Sequence, residues 1–64
     1  MKVKEFTSKI RDLGAHPRVY IREGGSILGS GTPEAVGKRY GERKVDSFFA
    51  SNRDEITIYI EPID

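Results

Sequence analysis

The apolar positions of this chain follow two different periods. Val3, Phe6, Ile10 and Leu13 recur at three- and four-residue spacings with Lys and Glu between them, which predicts one apolar stripe along a short helix. Gly14 is a natural stop for that helix, and Pro17 blocks its continuation. From Arg18 to Glu23 the period changes to two, with Val19 and Ile21 on one face and Tyr20 and Arg22 on the other. Gly24-Gly25 supplies the positive φ angles of a two-residue hairpin turn. A tight turn there sets Ile21 opposite Leu28, Val19 opposite Ser30 and Tyr20 opposite Gly29, where the missing side chain leaves room for an aromatic ring.

Thr32-Pro33-Glu34 reads as a second helix start: a capping hydroxyl, a proline suited to the first helical position, and an acid that complements the helix dipole. Gly37 weakens that helix and Gly41 ends it. A second strand pair follows at residues 44–50 and 55–60, joined by a turn at 51–54, with Ile56, Ile58 and Ile60 alternating with Thr57 and Tyr59. This register pairs Phe49 with Ile56, Val45 with Ile60 and Lys44 with Glu61. The expected fold is α+β: helix, hairpin, short helix, hairpin, with a mainly antiparallel four-stranded sheet in one domain over residues 1–64. The first helix packs on the face made by Val19, Ile21, Leu28, Val45, Phe49, Ile56, Ile58 and Ile60. The opposite face is expected to carry Arg18, Tyr20, Arg22, Ile27, Lys44, Asp46, Phe48, Thr57, Tyr59 and Glu61. The periodicity does not fix the order of the two hairpins in the sheet.

Composition narrows the function classes. The chain has 64 residues, no cysteine and one histidine, so neither a disulfide nor a Cys/His metal cluster staples it. Stability must come from a compact core, which self-association is one way to complete, and the lack of cysteine fits a reducing, cytoplasmic setting. No apolar run reaches membrane-spanning length, and the Met-Lys-Val-Lys-Glu start lacks the apolar stretch of a secretory signal. A formal net charge of +1 gives no general attraction to nucleic acid or membrane.

The layout of "KVKEFTSKI", "RVYIREGGSILGSG" and "KVDSFFASNRDEITIYIE" resembles small accessory proteins carried by phages and prophages of Gram-positive bacteria. The resemblance spans most of the chain. It implies action in the host cytoplasm, by blocking host machinery or sequestering a small signalling molecule, and it carries no functional residue with it.

Two regions are candidates for that action. At Gly29-Ser30-Gly31-Thr32 a glycine-rich strand end runs into a helix start, where free N–H groups and the helix dipole favour an anion, with Lys38 and Arg39 one turn on. The segment is not a P-loop, because five residues separate Gly31 from Gly37 and Arg39 stands where Ser or Thr is required. It is not a dinucleotide fingerprint either, since Glu34 replaces the third glycine. The plainer reading is an ordinary helix cap. The second region is the aromatic sheet face with Tyr20, Arg22, Ile27, Phe48 and Tyr59, residue types that suit a protein interface. Its plainer reading is a solvated face whose side chains cover one another. The basic run Lys38, Arg39, Arg43, Lys44 is broken by Glu42 and reads as solvated surface, and His16 reads as a loop residue.

No nucleophile–base pair, metal set or cofactor motif is legible, which points away from catalysis. The expectation is therefore a non-enzymatic, cofactor-free binding protein. It would sequester an anionic, nucleotide-like small molecule at the Gly29–Thr32 junction, or bind a host protein through the aromatic face. Single-stranded nucleic acid ranks third because charges of both signs share that face. A homodimer is expected from the small core, formed either through the aromatic sheet face or through an open sheet edge.

Overall fold

The computed structural model describes residues 1–12, 16–52 and 54–62. Its elements run α1 (Val3–Asp12), β1 (Arg18–Glu23), β2 (Ser26–Gly31), α2 (Pro33–Tyr40), β3 (Val45–Asn52) and β4 (Glu55–Ile60). The four strands form one mixed sheet in the order β2-β1-β4-β3. Both hairpins are antiparallel, and they meet through a parallel β1–β4 ladder that pairs Val19 with Ile56 and Ile21 with Ile58. Leu13 and Gly14, expected to complete the first helix, lie outside the described residues.

Local chemistry explains the boundaries. The Thr32 hydroxyl accepts from the Ala35 N–H at 3.2 Å, which caps α2, and Pro33 opens the helix without losing a hydrogen bond. At the first hairpin only Gly24 takes a positive φ, 59°, so one left-handed residue makes the turn where two glycines were expected to.

The first helix covers the sheet face expected for it, and the second helix, for which the pattern gave no placement, covers the same face. Val3 of α1 and Val36 of α2 meet Val19, Ile21, Ile58 and Ile60 in the core, with Phe6, Tyr40, Val45 and Ile56 packed around them. The helices approach closely where Thr7 of α1 faces Gly37 of α2: a methyl group added at Gly37 would sit 2.6 Å from the Thr7 Oγ1. Gly37 thus exchanges helix propensity for contact between the helices.

Two registers differ from the expected ones, and bulges are the reason. The first hairpin begins as expected, with Glu23 opposite Ser26 and Arg22 opposite Ile27. Leu28 is then the extra residue, so Ile21 pairs with Gly29, Tyr20 with Ser30 and Val19 with Gly31. Gly29 does make room for an aromatic ring, but the ring is that of Tyr40 in α2, whose hydroxyl donates to the Leu28 carbonyl at 3.1 Å. In the second hairpin Val45 pairs with Ile60 as expected, and the Glu61 N–H donates to the Lys44 carbonyl at 2.9 Å. The register then shifts between Val45 and Ser47, so Phe48 pairs with Ile58 and Phe49 with Thr57. Directly paired residues share a face. Phe48 therefore lies on the helix face, with its ring centroid 4.9 Å from that of Phe6, and Phe49 lies on the open face.

Polar contacts tie the N-terminus and the α2–β3 connection to this frame. Arg43 pairs with Glu23 and donates to the Glu61 carbonyl at 2.9 Å, linking the ends of β1 and β4. Glu42 bridges Lys2 at 2.9 Å and Lys4 at 2.8 Å. Hydrogen bonds from Lys2 and Lys4 hold the Glu42 carboxyl down from 4.5 to about 2. A lowered carboxylate stabilises the fold above its unfolded value, and that contribution fades as the pH falls from 4.5 toward about 2. The group is fully exposed, so the effect is small and salt-sensitive. Glu42→Gln is expected to lower the melting temperature slightly at neutral pH. Thermal melts should show the gap to wild type closing below pH 4.5 and in high salt, and a gap that persists at pH 2 would refute the ionic origin.

Candidate functional site

The face of the sheet turned away from the helices carries an ordered polar–aromatic array. Strand pairing sets its rows. One runs Ile27, Arg22, Tyr59, Ser47, and the next runs Ser30, Tyr20, Thr57, Phe49. A third pairs Arg18 with Glu55 and Glu55 with Asn52. The Arg22 guanidinium lies 5.9 Å from the centre of the Tyr59 ring, and that of Arg18 lies 6.0 Å from the Tyr20 ring. The Tyr20 hydroxyl donates to Glu55 at 3.0 Å, and the Asn52 amide donates to the other Glu55 oxygen at 3.0 Å. Arg22 also donates weakly to the Gly25 carbonyl at 3.4 Å, while its Nε is buried without a hydrogen-bond partner. Ile27 and Phe49 flank the array at 61% and 59% exposure.

Of the five residues expected on this surface, the fold brings together Tyr20, Arg22, Ile27 and Tyr59. Phe48 is a correction. The extra residue before Ser47 turns it to the helix face, and Phe49 takes the place assigned to it. Glu55, the first residue of β4, is the acceptor that fixes Tyr20. No pattern in the chain announces that role, because it depends on the parallel β1–β4 ladder.

Of the residues of the expected anion site, Gly31 and Thr32 share a shallow depression of about 150 Å³ with His16, Pro17 and Arg18, and the others lie elsewhere. Gly29 faces Tyr40, and Ser30 lies opposite Tyr20 on the open face. Gly31 ends β2, and the Thr32 hydroxyl is engaged as the cap of α2. Lys38 and Arg39 sit in the last turn of α2, at the end away from its free N–H groups, and Arg39 lies over the Tyr40 ring at 5.5 Å. Thr32 also lines a cleft of about 540 Å³ with Ser8, Arg11, Asp12, His16 and Glu34, where the one guanidinium shares the lining with two carboxylates. Lys38 borders a separate depression of about 210 Å³ between the helices. Among the described residues no group of His, Asp and Glu is arranged to hold a metal ion, and no helix is long and apolar enough to cross a membrane.

No protein-family model, no curated protein and no solved structure matches this chain.

Proposed function

We propose that this chain is a protein-binding module whose contact surface is the open sheet face centred on Tyr20, Arg22 and Tyr59. One observation carries this reading: both helices pack on the same side, so the other side presents aromatic and arginine side chains that already hold one another in place. Side chains ordered before binding lose little entropy when a partner docks. Tyr and Arg are also the residue types on which interface energy concentrates. Arg18 and Arg22 are offset by Glu55, a mixed charge that suits a protein better than a polyanion.

The size of the face sets the mode of binding. Four strands spaced by about 4.8 Å and six residues rising about 3.3 Å each give roughly 400 Å². That is at the low end for protein contacts, so the interaction formed by one domain is weak and reversible.

The variant Tyr59→Asp places a carboxylate beside Arg22 without touching the core. Affinity capture with wild type, Tyr59→Asp and the helix-side control Lys9→Glu, each verified as folded by circular dichroism, tests the reading. A protein captured by wild type and by Lys9→Glu should be lost with Tyr59→Asp, with affinity falling about 10-fold or more. Capture of the same protein by Tyr59→Asp at wild-type strength would remove this face as the contact.

A further inference from the structure

Strand β3 is an edge, and its outer side is divided into two parts. The first is already occupied. The Val45 N–H donates to the Met1 carbonyl at 2.8 Å, the Val3 N–H donates to the Arg43 carbonyl at 2.9 Å, and Lys2 pairs antiparallel with Lys44. Among the described residues, none forms a strand beside residues 46–52 on that side. This stretch also holds the two most exposed phenylalanines of the protein, Phe48 at 61% and Phe49 at 59%, which point to opposite faces. A partner lying on one face can cover only one of them. A strand added alongside flanks both.

We infer that two copies of this chain pair antiparallel through residues 46–52 of β3, with the twofold axis at Phe49, to form one eight-stranded sheet. The length of the free edge selects this register. The midpoint of residues 46–52 is 49, so each β3 fills the free stretch of the other and stops where Met1 begins. Face parity agrees. A twofold normal to the sheet keeps each face on its own side, so Phe49 meets the partner's Phe49 on the open face, and Phe48 meets the partner's Ala50 on the helix face. Charge agrees as well. Asp46 is the single ionisable residue of the stretch, and a twofold at Phe49 places its two copies at opposite ends of the ladder, beyond the regular run Ser47–Ala50. The other sheet edge, β2, ends in Gly29-Ser30-Gly31, which presents no aromatic to a neighbouring strand.

Pairing changes what the open face can do. Two faces of about 400 Å² become one surface of about 800 Å², the share each partner contributes to a standard protein interface. The twofold also repeats the Arg22–Tyr59 pair on each side of the Phe49 contact, so a symmetric target can engage both halves.

Light scattering after size exclusion, from about 10 µM to about 1 mM, spans the affinity range of a small interface of this kind. The mass should rise from 7.2 kDa toward twice that value. Hydrogen exchange at the two concentrations should show added protection within β3 and none within β2. Phe49→Asp should abolish the concentration dependence and retain the circular dichroism spectrum, because Phe49 is 59% exposed outside the core. Tyr59→Asp should leave it intact, which separates edge pairing from face-to-face association. A mass that stays at 7.2 kDa throughout, added protection in β2 instead of β3, or a dimer that survives Phe49→Asp would each overturn the inference.

Discussion

Replacing Ile58 with alanine is expected to remove around half of the protein's stability and to move its unfolding to a much lower urea concentration. Ile58 is fully buried at the centre of β4, between Ile21 on one side and Phe48 on the other, and belongs to the core shared by both helices. Truncating such a side chain removes its transfer energy and leaves a cavity, at a cost of about 2–5 kcal/mol. At about 0.05–0.15 kcal/mol per residue, a chain of this length has roughly 3–10 kcal/mol in total. One truncation therefore consumes around half of the stability. Thr57, the next residue, points to the open face and is half-buried, so Thr57→Ala should cost under about 1 kcal/mol. Urea unfolding followed by circular dichroism measures both. Equal costs at the two positions would mean that the alternation of β4 is assigned to the wrong faces.

That alternation was legible because it is local. The three isoleucines of β4, the Val19–Ile21 pair of β1 and the Thr32-Pro33 helix start each carry their own signal within a few residues. What the pattern could not supply were properties that depend on several strands at once. The parallel β1–β4 ladder joins segments separated by more than thirty residues, and no residue type marks it. Nor do the bulges at Leu28 and after Val45 have a signature of their own: inserting one residue into a strand changes the face of everything beyond it, and alternation reads equally well before and after. The assignment of Phe48 and Phe49 failed for that reason, since the adjacent phenylalanines give the same pattern in either phase.

The candidate surface was legible to the same degree. Tyr20, Arg22, Ile27 and Tyr59 lie in runs whose inward partners are unambiguous, so their outward direction followed from period alone. The glycine-rich junction illustrates the opposite case. Its residue types suit an anion, but their use is decided by neighbours far along the chain: Tyr40 occupies the space over Gly29, and the start of α2 engages the Thr32 hydroxyl. Free glycine backbone in a sequence is an opportunity for close approach, and here a helix side chain takes it.

Gly37 shows the same principle between the helices, and it yields a test with two opposing signs. By helix propensity alone Gly37→Ala should stabilise α2 by about 1 kcal/mol. The added methyl group, however, would lie 2.6 Å from the Thr7 Oγ1. That oxygen is itself held in place, because the buried Thr7 hydroxyl donates to the Val3 carbonyl at 3.1 Å and contacts the Lys4 carbonyl at 3.3 Å. Relief requires α1 and α2 to separate or Thr7 to leave its rotamer, at a cost of about 1–3 kcal/mol that outweighs the propensity gain. Gly37→Ala should therefore destabilise the protein. Thr7→Ala removes the obstructing hydroxyl and by itself costs about 1 kcal/mol, since the Val3 carbonyl keeps its bond within the helix. In the double variant the alanine methyl groups face one another across the contact, and the propensity gain reappears. The cycle should show a favourable coupling of about 1–3 kcal/mol by chemical denaturation, the double variant being more stable than the sum of the single changes predicts. Simple additivity would mean that the helices do not meet at this pair.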